Sequence, residues 1–216
     1  MVSNVTVPPA GRRVVAPYIT AWSEENERPS RLVEVRGGGI AYADETLADR
    51  DRRGVLWYRT PFRLGVGQPV FGKVHPLRQR RAMSRLLCQV CAGPADRTED
   101  GVLFLLKDHR RDWPGWPNSM GVTEPPVCLP CVRLSARVCP ALRKGAVMVR
   151  AGRYEVAGVH GGLYAGGRTP RLVGEATVSF DNPAVRWLRA VSLVRELWDC
   201  ALVELDELPE VNPCRT

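Results

Sequence analysis

The residues with the most specific chemistry are two cysteine pairs, Cys88-Gln-Val-Cys91 and Cys128-Leu-Pro-Cys131. A Cys-x-x-Cys turn sets two sulfurs on one side of a metal, and two such turns complete the tetrahedral thiolate shell that structural zinc prefers. The spacing therefore predicts one structural Zn2+ held by Cys88, Cys91, Cys128 and Cys131. The 36 residues between the pairs exceed the usual ribbon spacing of ~15–20. Doubling a flexible loop costs only about 0.6 kcal/mol, against the ~10–16 kcal/mol that structural zinc contributes in finger peptides. Two alternatives compete: ordinary buried thiols, and a redox-active Cys-x-x-Cys, which belongs near a βαβ pattern and needs only one pair. Cys139 fits a buried helix position, and Cys200 and Cys214 have no pairing that assigns them a role.

The elements that must position these sulfurs are two helices. Residues 77–87 carry Leu77, Ala82, Met83, Leu86 and Leu87 at helical spacing, with Arg78, Arg81 and Arg85 on the opposite stripe, and run directly into Cys88. The second pair opens a helix over about 129–139, which Pro140 terminates. Between them the pattern predicts a knuckle turn, a strand at 102–106 and a long irregular loop through Trp113-Pro-Gly-Trp116-Pro117. Upstream, short β-rich runs at 18–22, 31–35, 39–42 and 54–59 alternate with polar or Gly-rich turns. Downstream, strands are predicted at 146–149, 154–159, 176–180 and 201–205. Gly161-Gly162 and Gly166-Gly167 read as hairpin turns. Between the last two strands, Val185, Leu188, Val191, Val194 and Trp198 fall at three- or four-residue spacing after a capping Asp181-Asn182-Pro183, the signature of a core helix. The expected fold is α+β: a flexible leader over 1–17, a β-rich segment over 18–76, a zinc module over 77–145 and an α/β segment over 146–216, with 18–216 able to form one integrated domain.

A knuckle, a strand-rich insert and a Cys-x-x-Cys at a helix start resemble a treble-clef zinc finger over about residues 77–145. The arrangement also bears a partial likeness to the HNH endonucleases, in which two structural Cys-x-x-Cys pairs bracket an Asp-His pair and an Asn, and a His or Asn follows the last cysteine. Asp108-His109 and Asn118 stand between the pairs here. The resemblance implies that Asp108 would bind a catalytic metal and His109 would activate water. Val132 follows Cys131 where the family places a metal-binding His or Asn, so the catalytic ligand set is incomplete. Treble clefs also occur in ribosomal proteins, transcription factors and ubiquitin ligases, and the fragment alone selects no activity.

Charge narrows the partners. The chain carries a formal +8, and only three of its 31 basic residues are lysines, a bias that suits a G+C-rich bacterial genome as well as phosphate recognition by the planar guanidinium fork. Residues 73–87 hold +5 and residues 132–153 hold +6 without an acidic residue, leaving the rest of the chain at −3. Arg78, Arg81, Arg85, Arg133 and Arg137 are therefore the predicted contacts to DNA or RNA phosphate, with Trp113 and Trp116 available for base stacking. The alternative is a protein-interaction adaptor anchored by the Trp113–Trp116 loop, and a second alternative is the metal-dependent nuclease. The N-terminus lacks a secretory pattern and no apolar run reaches the ~18 residues of a membrane span. Seven cysteines, an odd number, fit metal thiolates in a reducing cytoplasm. No nucleotide-binding Gly-rich fingerprint and no Gly-x-Ser-x-Gly elbow is present.

Overall fold

A computed structural model describes residues 16–27, 29–139, 142 and 145–212; the predicted leader lies almost wholly outside them, as do Pro140, Arg143, Lys144 and Cys214. The frame is a seven-stranded sheet with the order β4-β11-β9-β7-β6, on which β10 pairs with β9 and β8 with β11. Its spine is β9 (Ala146–Ala165) against β11 (Leu188–Val203), antiparallel from Leu188↔Leu163 to Val203↔Met148. The other edge of β9 takes β7 (Gly101–Lys107) along its first third and β10 (Arg171–Ser179) along its last. β6 (Arg97–Thr98) closes a tight hairpin with β7, β8 (Met120–Val122) lies on β11, and β4 (Leu56–Trp57) runs parallel to Arg189 and Ala190. Two small antiparallel pairs complete the β structure: β1 (Thr20–Trp22) with β5 (Pro69–Val74), and β2 (Leu32–Glu34) with β3 (Ile40–Tyr42).

β7 is buried on both faces, which is why it reads as an unbroken apolar run. Val102, Phe104 and Leu106 enter the main core with Val147, Val149, Leu188, Leu193, Leu197 and Met83. Leu103 and Leu105 point the other way, into a second core built around Cys88, Cys131, Val127 and Val132. The cysteine region is thus bound to the sheet by alternate residues of one strand.

Helix α1 (Pro76–Arg85) forms as predicted, with proline in its first turn. Its docking depends on polar groups. Gln79, fully buried, donates to the carbonyls of Thr123 (2.7 Å) and Leu193 (2.9 Å) and accepts from the Leu193 amide (2.9 Å). Arg195 reaches from β11 to the Met83 carbonyl at 2.6 Å, satisfying an orphan acceptor near the helix end. Helix α2 (Leu129–Val138) also forms as predicted.

The predicted late helix does not form. Pro183–Trp187 make a short 3-10 turn, for which the Asn182 side chain accepts from the Ala184 amide, and Leu188–Val203 is strand β11. The cause is a bulge: pairing jumps from Ala190↔Gly161 to Ser192↔His160, leaving Val191 extra. The residues entering the core become Leu188, Ala190, Leu193 and Leu197, so a period of two is stretched into an imitation of the helical one. The predicted strands at 146–149 and 154–159 are one continuous strand. Gly161-Gly162 lie inside it instead of at a turn, because a Cβ on Gly161 would sit 2.1 Å from the Arg189 carbonyl oxygen and only glycine permits that approach. Gly166-Gly167 do lie in the connection between β9 and β10.

Candidate metal centre

The chain leaves α1 through Leu86, in the left-handed conformation with its N–H on the Ala82 carbonyl, and turns at once into the first cysteine pair. The Cys88 amide donates to the Gly93 carbonyl at 2.7 Å, the Ala92 amide to the Cys88 carbonyl at 2.9 Å, and the Val90 amide points at the Cys88 sulfur at 3.4 Å. This knuckle is fixed from two sides. Gln89 donates to Pro126 O, and the amides of Tyr18 and Ile19 donate to Val90 O and Gln89 O, so the start of the described chain is laced to the cysteine turn. The second pair is placed by α2: Cys128 is its N-cap and Cys131 lies in its first turn, donating its amide to the Cys128 carbonyl at 3.1 Å. A helix N-terminus favours thiolate at that place.

One ligand atom from each of the four cysteines lies within 4.8 Å of the others, and Cys91 Sγ is 3.7 Å from Cys128 Sγ. Tetrahedral zinc with Zn–S of ~2.3 Å requires sulfurs ~3.8 Å apart, so the cluster has the size of a zinc shell. Cys88 and Cys131 are buried and Cys91 and Cys128 half-buried. The thiols act strongly on one another. Hydrogen bonds from Cys128 and Cys131 bring Cys88 down to about 2. Cys131 is pushed up by its hydrogen bonds to Cys128 and Cys88 and by burial. Cys128, lowered by Cys131, rises on balance through Cys88 and burial. Binding a metal there requires the thiols to lose their protons, so metal affinity at this cluster rises with pH. Among the described residues no other group of three or more His, Cys, Asp or Glu side chains is placed to hold a metal.

Each member of the nuclease-like trio has a hydrogen-bond partner of its own. Asp108 accepts from the amide and Nε of Arg110, both at 3.0 Å, and that backbone contact with the ion pair holds its carboxyl below the usual carboxylate range. His109 Nδ1 lies 2.6 Å from Asp112 Oδ2. Asn118 accepts the Cys200 amide at 3.0 Å and is a fastener between loop and sheet. Cys139 is half-buried at the end of α2, and Cys200 is half-buried against the main core, its thiol pushed up to about 11 by burial and by Asp199.

The five predicted phosphate contacts divide. Arg78 is fully buried: it grips both oxygens of Glu25 at 2.6 Å and the Thr20 carbonyl at 2.7 Å, so it cannot meet a phosphate. Arg133 is half-buried and ties the C-terminal segment to α2 through the carbonyls of Leu208 and Pro209. Arg81, Arg85 and Arg137 are exposed; Arg81 touches the Tyr18 hydroxyl at 3.1 Å, and Arg137 donates to the Arg133 carbonyl at 3.1 Å. Trp113 is exposed, whereas Trp116 packs on the main core and donates Nε1 to the Met120 sulfur. Sequence reasoning missed the buried polar set Glu25, Gln79, Arg189 and Arg195, and nothing in the local pattern distinguishes those residues from surface ones.

Comparison of the chain with protein-family models, with curated proteins and with solved structures yields no match in any of the three. No helix among the described residues is long and apolar enough to cross a membrane.

Proposed function

We propose that the chain is a zinc-stabilised nucleic-acid-binding protein of the bacterial cytoplasm, with a structural metal and no catalytic role for it. The observation that carries the reading is the thiol cluster joined directly to two helices that keep Arg81, Arg85 and Arg137 exposed. The order of parts, a knuckle, the β6–β7 hairpin and a helix opened by the second pair, supports a treble-clef reading of the module. Zinc would hold α1 and α2 at fixed places relative to β7, and the exposed guanidinium groups would neutralise phosphate, releasing counterions and making affinity fall steeply with salt.

The test is fluorescence anisotropy with single- and double-stranded probes across a salt series. The double substitution Arg81→Ala/Arg85→Ala is expected to weaken binding and flatten the salt slope by about 1–2 log units per log unit of salt, at ~0.9 per phosphate contact on duplex DNA. Unchanged affinity and slope would refute the arginine assignment. The adaptor reading keeps one observation in its favour: Phe62 and Phe71 are 59% and 61% exposed on the arm that carries β5, and aromatic anchors dominate protein interfaces. Capture of a protein partner that survives nuclease treatment and is lost in Phe71→Ala would favour it.

A further inference from the structure

A concavity lies away from the cysteines, where the end of β7, β8 and the β9–β10 pair come together. It encloses about 430 Å3, within the range of small-ligand sites. Its apolar lining comes from Leu106, Met120 and Val122, all members of the main core, and Trp113 contributes an exposed indole. Around these stand hydrogen-bonding groups from several elements: Lys107, His109 with Asp112, Glu124, and His160 with Thr177.

Those groups are held in place and retain capacity. Asp112 spends one oxygen on His109. Glu124 Oε2 accepts the Thr123 amide at 3.1 Å and the Thr123 hydroxyl at 3.3 Å, which leaves Oε1 available, since a carboxylate offers about four acceptor sites. His160 Nδ1 pairs with Thr177 Oγ1 at 3.1 Å, while its Nε2 is 3.9 Å from Glu175, beyond hydrogen-bond reach. The lining carries two carboxylates and one lysine, which disfavours a phosphate inside and suits an uncharged heterocycle whose amino group donates to a carboxylate. The exposed Arg110 and Arg111 follow His109 on the loop that leads to Trp113, where a backbone outside the cleft would pass.

We propose that this cleft receives one unpaired base of a single strand, stacked on Trp113, and that its carboxylates favour the amino-bearing bases adenine, cytosine and guanine over uracil and thymine. The inference deepens the nucleic-acid reading above and rests on it, but it is tested without phosphate. Adenosine, cytidine, guanosine and uridine are titrated into the zinc-loaded full chain by calorimetry. The three amino-bearing nucleosides bind and uridine binds at least about fivefold more weakly. Trp113→Ala weakens adenosine about tenfold, in line with the loss of one base–aromatic stack, and Glu124→Gln narrows the gap between cytidine and uridine. Both positions are on the surface of the cleft, so folding is checked by an unchanged melting temperature. Absence of nucleoside binding, equal binding of uridine, or binding unchanged in both variants would overturn the inference. Any of these with a steep salt-dependent affinity for duplex intact removes the base cleft and leaves the arginine reading standing; nucleoside binding without oligonucleotide binding removes both.

Discussion

Replacing Arg78 with methionine should remove much of the protein's margin of stability while leaving the four-cysteine cluster chemically complete. Arg78 and Glu25 are both inaccessible to solvent, and two 2.6 Å contacts join them. Glu25 also accepts the amides of Trp22 and Arg63 at 2.9 Å, and Arg78 satisfies the Thr20 carbonyl. The pair therefore fastens β1 and the 61–68 arm to α1. Removing one partner strands a buried carboxylate, which costs ~3–5 kcal/mol. With a urea m-value near the upper end of the ~1–3 kcal/mol/M range, the unfolding midpoint should fall by roughly 1–2 M. The double substitution Glu25→Leu/Arg78→Met removes the stranded charge and should recover part of the loss, because well-packed apolar residues can replace a buried ion pair at little cost. Equilibrium urea unfolding followed by tryptophan fluorescence reads both. A single variant within about 1 kcal/mol of the parent, below the usual range for a broken buried pair, would refute the burial of Arg78. A stable Arg78→Met variant that lost nucleic-acid affinity would return the residue to the surface face from which the structure removes it.

Two further predictions concern the same packing. His75 is fully buried with Nε2 3.0 Å from the Pro61 carbonyl oxygen, and burial lowers its pKa from the ordinary 6.5. For Glu25, burial raises the pKa but is outweighed by the Arg78 hydrogen bonds and the amides of Arg63 and Trp22, so its pKa falls below 4.5. The native state thus binds fewer protons than the unfolded chain at both groups. The His75 contribution is complete above 6.5 and is lost as pH falls from there toward its lowered native value; that of Glu25 is complete above 4.5 and is lost as pH falls through its own. Urea midpoints should drop between pH 7 and pH 5, and His75→Gln should flatten that slope; an equally steep slope in the variant would count against a buried neutral imidazole. Gly161→Ala should destabilise by about 1–3 kcal/mol through overpacking, since its Cβ would meet the Arg189 carbonyl oxygen at 2.1 Å. A neutral effect on the melting curve would restore the turn that the sequence suggests there.

What was legible in the sequence follows from where the information lies. The cysteine set is readable because ligand type and spacing are local; the first helix is readable from its apolar spacing and the second from the cysteine pair that opens it and Pro140, which ends it. Strand β11 is not readable, because the bulge at Val191 depends on how β9 pairs with it. The charges on α1 are equally visible at Arg78, Arg81 and Arg85, but only Arg78 meets a carboxylate, 53 residues away in the chain. Composition records that a guanidinium is present and says nothing of its partner. Asn118 shows the same limit: its place between the cysteine pairs gives no sign of its contact with the Cys200 amide, 82 residues distant.

The most direct test of the account is the metal content of the protein purified under reducing conditions, measured by plasma mass spectrometry alongside thiol accessibility. One zinc per chain is expected, with all four cluster thiols protected until the metal is chelated and with loss of zinc in Cys88→Ser and Cys131→Ser. A folded, metal-free protein whose melting temperature is unchanged by added zinc, and whose Cys91 and Cys128 react freely, would contradict the assignment of the four-thiolate centre.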